Sequence, residues 1–235
     1  MALRIDLHVH SSRSLDGALS AEELIGRAER AGLDGLVLTE HGERWSERDL
    51  ADLRRRTQTR LIVLSAEELL VDEVAILAYG FSGRMPPLDS LETAVGRIRL
   101  EGGIAIAAHA FDEGARSLAE LQAAGIQGVE VYSASNELPT GEQLAELARL
   151  GMVAVAGSGF HGPGDGDVGD CHTLVEADVR SGRDLAVAIR TRRATPVFGP
   201  PPLSEQGHRA PRLPIPQGVL TQRPGAFPAS GTWKE

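Results

Sequence analysis

Cysteine is all but missing from the 235 residues: Cys171 stands alone, so no disulfide can close within the chain, and a reducing, cytoplasmic setting is expected. Lysine is equally scarce, Lys234 being the only one, so nearly every basic residue is an arginine and part of that signal reads as coding bias. Positive charge as a whole is short, with a formal net charge of −9. Extended contact with a phosphate backbone needs clustered cations, so nucleic acid is not an expected partner. A small phosphorylated molecule stays open, because a metal can supply the positive field locally. No apolar run approaches the roughly 18 residues that span a bilayer, and no apolar stretch follows a basic start, since Arg4 is succeeded at once by Asp6 and His8; neither a membrane span nor a secretion signal is expected. Proline is sparse until residue 194 and then abundant, with nine of the 13 prolines in the last 41 residues. That shift predicts a domain over 1–194 and an extended Pro-rich arm over 195–235.

With 42% hydrophobic residues the chain can bury a sizeable core. Strand-like and helix-like stretches alternate about seven times. Ser20, Ser46, Ser90 (or Asp89), Ser117 and Thr140 stand where helices should start, and Gly32, Gly102 and Gly151 where they should stop. Such alternation predicts an α/β protein with a parallel sheet covered by helices, open or closed into a barrel.

Leu3, Ile5, Leu7 and Val9 alternate with Asp6, His8 and His10, the period of a strand. Residues two apart project from one face, so His8 and His10 stand side by side with Asp6 behind them. Two imidazoles so placed can grip one divalent metal, with a carboxylate to orient them. The pair alone is equally consistent with two histidines on a half-buried strand. The rest of the chain decides: His41, Glu67, His109 and His161 each fall at the end of a later predicted strand, just before its loop. In a barrel those ends converge on one mouth. Five histidines with carboxylates nearby and no cysteine suit zinc, manganese or iron. Arg13 and Arg44, on the loops after the first two strands, are candidates to clamp a phosphate. Arg54, Arg55 and Arg56 read instead as the solvated face of a helix, Trp45 and Phe160 as packing residues, and Glu130 as structural support.

Asp6-Leu-His8-Val-His10-Ser11, Thr39-Glu40-His41, Ser65-Ala66-Glu67, Ala108-His109 and Gly157-Ser158-Gly159-Phe160-His161 together resemble, in order, the motifs of the PHP (polymerase and histidinol phosphatase) family. The resemblance implies a distorted, TIM-like (β/α)7 barrel holding two or three divalent metals (zinc, manganese or iron). It implies hydrolysis of a small phosphorylated substrate, a phosphomonoester or nucleotide, by metal-activated water. By position, His8, His10 and Glu67 would hold one metal. Glu67 would bridge to a second, with His109, and Asp16, His41 and His161 would hold a third. Asp6, Arg13 and Arg44 would complete the catalytic set. Two positions depart from the family pattern: Gly159 stands where an aspartate usually ligates, and Ala75 near a usual histidine. Asp165 and Asp167 are nearby carboxylates that could substitute. The alternative is a barrel with an incomplete cluster that binds a ligand or partner without turnover.

Overall fold

The computed structural model describes residues 2–82, 90–133 and 137–199. Nine strands form one sheet: β1 Leu3–Val9, β2 Gly35–His41, β3 Ile62–Val71, β4 Val74–Tyr79, β5 Ile104–Ala107, β6 Gly128–Tyr132, β7 Val153–Ala156, β8 Cys171–Val175 and β9 Ala194–Phe198. Six helices lie among them: α1 Ala21–Arg30, α2 Glu47–Thr57, α3 Leu91–Leu100, α4 Leu118–Ala123, α5 Gly141–Arg149 and α6 Gly182–Arg190. The strand order is β7-β6-β5-β4-β3-β2-β1-β8-β9, curled into a nearly closed barrel. The expected α/β barrel is therefore the fold.

The helix starts follow the sequence signals. Ser20, Ser46, Ser117 and Thr140 each accept from the backbone of the third helical residue, while Glu23, Asp49, Glu120 and Gln143 return the bond in a capping box. Ser90 caps α3.

The sheet is mixed rather than parallel. β1–β2, β2–β3, β5–β6 and β6–β7 pair parallel, while β3–β4, β4–β5, β1–β8 and β8–β9 pair antiparallel. The expectation of a parallel sheet missed these reversals for a local reason. β3 does not stop at Glu67 but runs on to Val71, and a two-residue turn, Asp72 and Glu73, both at positive φ (53° and 64°), sends the chain straight back. Tight hairpins usually announce themselves with glycine or asparagine, and this one does not. Residues 195–198, expected in the arm, belong to β9, an edge strand paired with β8. Residues 200–235 of the expected arm lie outside the described residues.

One apolar cluster fills the barrel interior and two more lie beneath the outer helices. Leu64 and Ala66 point inward with Ile5, Leu7, Leu77 and Ile104, whereas Val63 packs outward with Leu24, Leu36 and Leu53. α6 is no crossover helix: it packs on β3, β4, β5, β7 and β8, and its Leu185 and Ile189 close the interior at the end remote from the histidines. At Gly80 (φ 70°) any side chain would strike Ala186, so the helix docks directly on backbone. Between β7 and β8, Thr173 bridges with its hydroxyl, which accepts from the Ala156 N–H (2.9 Å) and donates to the Ala156 carbonyl (2.8 Å).

His172, beside that bridge, is buried, and burial pushes its imidazole down to about 4, with Arg4 acting in the same direction. The unfolded chain, with a histidine near 6.5, therefore binds the proton more readily, and stability falls as pH drops from 6.5 toward 4. The expected loss from this group is about 3 kcal/mol. Denaturant unfolding at pH 7 and pH 4.5 should show a distinctly shallower pH dependence in His172→Gln; an unchanged slope would place the acid sensitivity elsewhere.

Candidate metal centre

Asp6 and His8 on β1 and His10 just past it are all fully buried, and the register of β1 against β2 shifts between Asp6 and Val9. At the end of β1 His8 Nε2 lies 3.0 Å from His10 Nε2 and 3.1 Å from Glu68 Oε2, and His10 Nε2 lies 2.9 Å from that same oxygen. Ligand atoms held by one cation at bonds of about 2.0–2.1 Å lie roughly 3 Å apart, so the triangle has the dimensions of one metal's coordination edge. A second group adjoins it: His10, Asp16, His41 and His161 offer ligand atoms within 4.8 Å of one another. Asp16 Oδ2 is 3.1 Å from His41 Nε2 and 3.6 Å from His161 Nε2. His10 and His161 stack nearly parallel, centroids 4.0 Å apart.

The other ring nitrogens have partners. His8 Nδ1 donates to Glu130 (3.1 Å), and His161 Nδ1 donates to the Gly159 carbonyl (2.9 Å). His10 Nδ1 faces Ser14 Oγ at 3.2 Å. Committing Nδ1 leaves Nε2 to a metal, as ligating histidines require.

Electrostatics match this geometry. Burial opposes charge on His8, but Glu130 and Glu68 on its two sides outweigh it and hold the imidazole well above its ordinary range. Glu68, likewise opposed by burial, is held well below the carboxylate range by His8 and His10. Burial pushes His10 down to about 4, so it is neutral and fit to ligate.

The central carboxylate is Glu68, not the expected Glu67. Side chains alternate along β3, and the inward face that carries Leu64 and Ala66 continues to Glu68, paired in register with His41. Glu67 points the other way, its Oε2 3.6 Å from Arg44 Nε; burial raises its pKa and Arg44 opposes the rise. The signal was in the sequence: counting inward positions from the apolar residues of the strand selects the second of the two glutamates.

Asp6 also differs from expectation. Its carboxylate does not orient an imidazole but accepts three backbone N–H groups, from Ser158 (2.8 Å), Gly169 (2.9 Å) and His8 (3.2 Å). Burial nevertheless lifts its pKa to about 6. Glu130, read from the sequence as support, is the carboxylate that orients His8.

His109, two residues past β5 and at φ 54°, approaches from the far side, its Nε2 3.8 Å from Glu68 Oε1. Next to it opens a cavity of about 300 Å³ bounded by Ala75, Ala108, Asp112 and Arg116. Ala75 forms part of that wall, and its carbonyl accepts from the Ala108 N–H (3.0 Å). Gly159 takes φ 62° and contributes backbone alone, its N–H to the His8 carbonyl (2.8 Å). The two loop aspartates have other partners: Asp165 accepts from the His161 N–H (3.2 Å), and Asp167 pairs with Arg27 (2.8 Å).

The arginines are engaged locally. Arg13 stacks 3.6 Å from the Trp45 ring centre and pairs with Asp49 at 3.3 Å, while Arg44 donates to the Phe81 and Ser82 carbonyls, both at 2.6 Å. No helix among the described residues is long and apolar enough to cross a membrane.

Comparison with known proteins agrees with this geometry. The PHP domain family matches residues 6–162. A 3',5'-nucleoside bisphosphate phosphatase of Chromobacterium violaceum is 45% identical over 94 residues, 36% of this chain and 33% of that protein, so the match spans about a third of the curated relative's length. Among solved structures, a two-domain protein of Bacteroides vulgatus containing a predicted PHP-like metal-dependent phosphoesterase superposes with a TM-score of 0.68 at 21% identity, over 85% of this chain and 65% of that one. An amidohydrolase of Chromobacterium violaceum with bound sulfate and no metal gives 0.56 at 25% identity, over 70% and 89%.

Exchanging the two neighbouring glutamates should separate their roles. Glu68→Ala is expected to weaken zinc binding by at least the 10–100-fold that loss of a supporting group typically costs. Glu67→Ala should leave zinc affinity within a few-fold of the parent; competition titration against a chelating dye reads both, and equal losses would refute the assignment.

Proposed function

The chain belongs to the PHP domain family, and from that premise we propose that it is a metal-dependent phosphoesterase acting on a small phosphorylated molecule of the nucleotide class. The observation that supports this most is the convergence of His8 Nε2, His10 Nε2 and Glu68 Oε2 within about 3 Å of one another. His8, His10 and Glu68 would hold one divalent cation, with His109 on the outer side of Glu68; Asp16, His41 and His161, with His10 beside them, would hold another. Zinc, manganese and iron all suit this donor set. Such cations supply the Lewis acidity that activates water and the positive field that offsets charge on phosphoryl oxygens.

The chain's own residues supply position. Glu130 and the Gly159 carbonyl fix the rings of His8 and His161. Asp6 fixes the backbone beneath them. The cavity beside His109 gives the organic part of a substrate a place next to the cluster. Its rim carries Glu73, Asp112 and Glu113 against Arg116, an acidic excess that suits a base or sugar better than a second phosphate. The nucleotide class comes from the Chromobacterium violaceum phosphatase, and the lone buried Cys171 suits a cytoplasmic setting.

Gly159 and Ala75 favour a second reading. With neither side chain able to ligate, the barrel would bind a phosphorylated ligand or a partner without turning it over. Elemental analysis of protein purified without chelator, followed by phosphate release from nucleoside mono- and bisphosphates, decides between the two. Two or more equivalents of zinc, manganese or iron are expected, with hydrolysis abolished by a chelator and restored by the metal. One equivalent or less without hydrolysis would leave the binding reading in its place.

A further inference from the structure

Glu40 precedes His41 on β2, and its carboxylate is engaged by Ser11, Ser14 and Trp45 rather than by any of the candidate ligands. It is fully buried, and its carboxylate collects four donors. Oε1 accepts from Ser11 Oγ (2.5 Å) and Trp45 Nε1 (2.8 Å). Oε2 accepts from Ser14 Oγ (2.7 Å) and the Ser11 N–H (3.1 Å). A carboxylate offers only acceptors, so the single hydroxyl proton of Ser14 is committed to Glu40. Ser14 Oγ can then only accept from its other two neighbours, the His41 N–H and His10 Nδ1, each at 3.2 Å.

On its Nδ1 side His10 can only donate to Ser14, while on its Nε2 side it faces a second acceptor, Glu68 Oε2 at 2.9 Å. A cation held at the point shared with His8 and Glu68 would take the Nε2 lone pair and leave hydrogen on Nδ1, the arrangement that Ser14 completes. The same hub anchors the loop that delivers Asp16, through Ser11 and Ser14, and holds Trp45, on which Arg13 stacks.

We propose that Glu40 is a positioning residue which, through Ser14, locks the proton of His10 on Nδ1 and so prepares Nε2 as a ligand. The proposal rests on reading the cluster as a metal centre, and zinc binding by the parent tests that reading separately.

The experiment uses the full chain. Loaded with zinc, the parent should show hydrogen on Nδ1 and metal on Nε2 in the 15N shifts of the His10 ring. With Zn2+ alone, competition titration should show the dissociation constant rising about 10–100-fold in Glu40→Gln and Ser14→Ala. Glu40→Asp, still all acceptor, should recover most of that loss; a merely structural role would lower the melting temperature of the variants and leave the zinc affinity of the folded protein unmoved. Should Glu40→Gln fail to fold, Ser14→Ala removes only a hydroxyl and carries the test. Hydrogen on Nε2 of His10 in the zinc-loaded parent, or parental zinc affinity in folded Ser14→Ala, would overturn the proposal. A parent that binds no zinc would instead overturn the metal reading, and the proposal with it.

Discussion

A carboxylate with no access to water holds the mouth of this barrel together. Asp6 leaves β1 pointing into the core, and its two oxygens take N–H groups from Ser158, Gly169 and its own strand at His8. β7 stands at one end of the sheet order, so the loop after it needs a partner across the gap to β1. Asp6 provides one, reinforced by the bonds from the His10 N–H to the Phe160 carbonyl and from the Gly159 N–H to the His8 carbonyl. His161 can meet Asp16 and His10 only because that loop is pulled against β1. A buried charge is costly unless its lone pairs are filled, and here filling them brings together residues 152 and 163 positions apart in sequence.

The fold was largely legible. Caps and glycine stops located most helices, and apolar alternation located most strands. What sequence patterns could not supply was polarity. β8 and β9 return antiparallel because a short extended piece and a proline-containing segment pair with each other, and such pairing is a tertiary fact. The candidate site was legible in its histidines, since all five expected at strand ends meet at the mouth. It was not legible in its carboxylates. Adjacent glutamates carry the same local signal, and only the inward phase of Leu64 and Ala66 separates Glu68 from Glu67. Asp6 resembled an orienting carboxylate by its spacing, yet three backbone donors outcompete one ring for it. Glu130, alone among apolar neighbours on β6, became informative once His8 was seen against it.

The same arrangement sets the electrostatics of the pocket. Glu68 and Glu130 flank His8 and favour its charged form against burial, so the imidazole stands between the two carboxylates.

The β3–β4 hairpin has a consequence for how the molecule can change. Glu68 is held by His41 on one side and Leu77 on the other, and beyond it the ladder continues through Leu69 with Ile76, Leu70 with Ala75 and Val71 with Val74. Leu70, Val74 and Ala75 of that tip form one wall of the cavity beside His109. Because a strand repeats every two residues, the tip can gain or lose residues in matched pairs without altering the direction in which Glu68 points. That wall is thus mechanically decoupled from the histidine cluster, and insertions and deletions at Asp72 and Glu73 would reshape the cavity without turning Glu68.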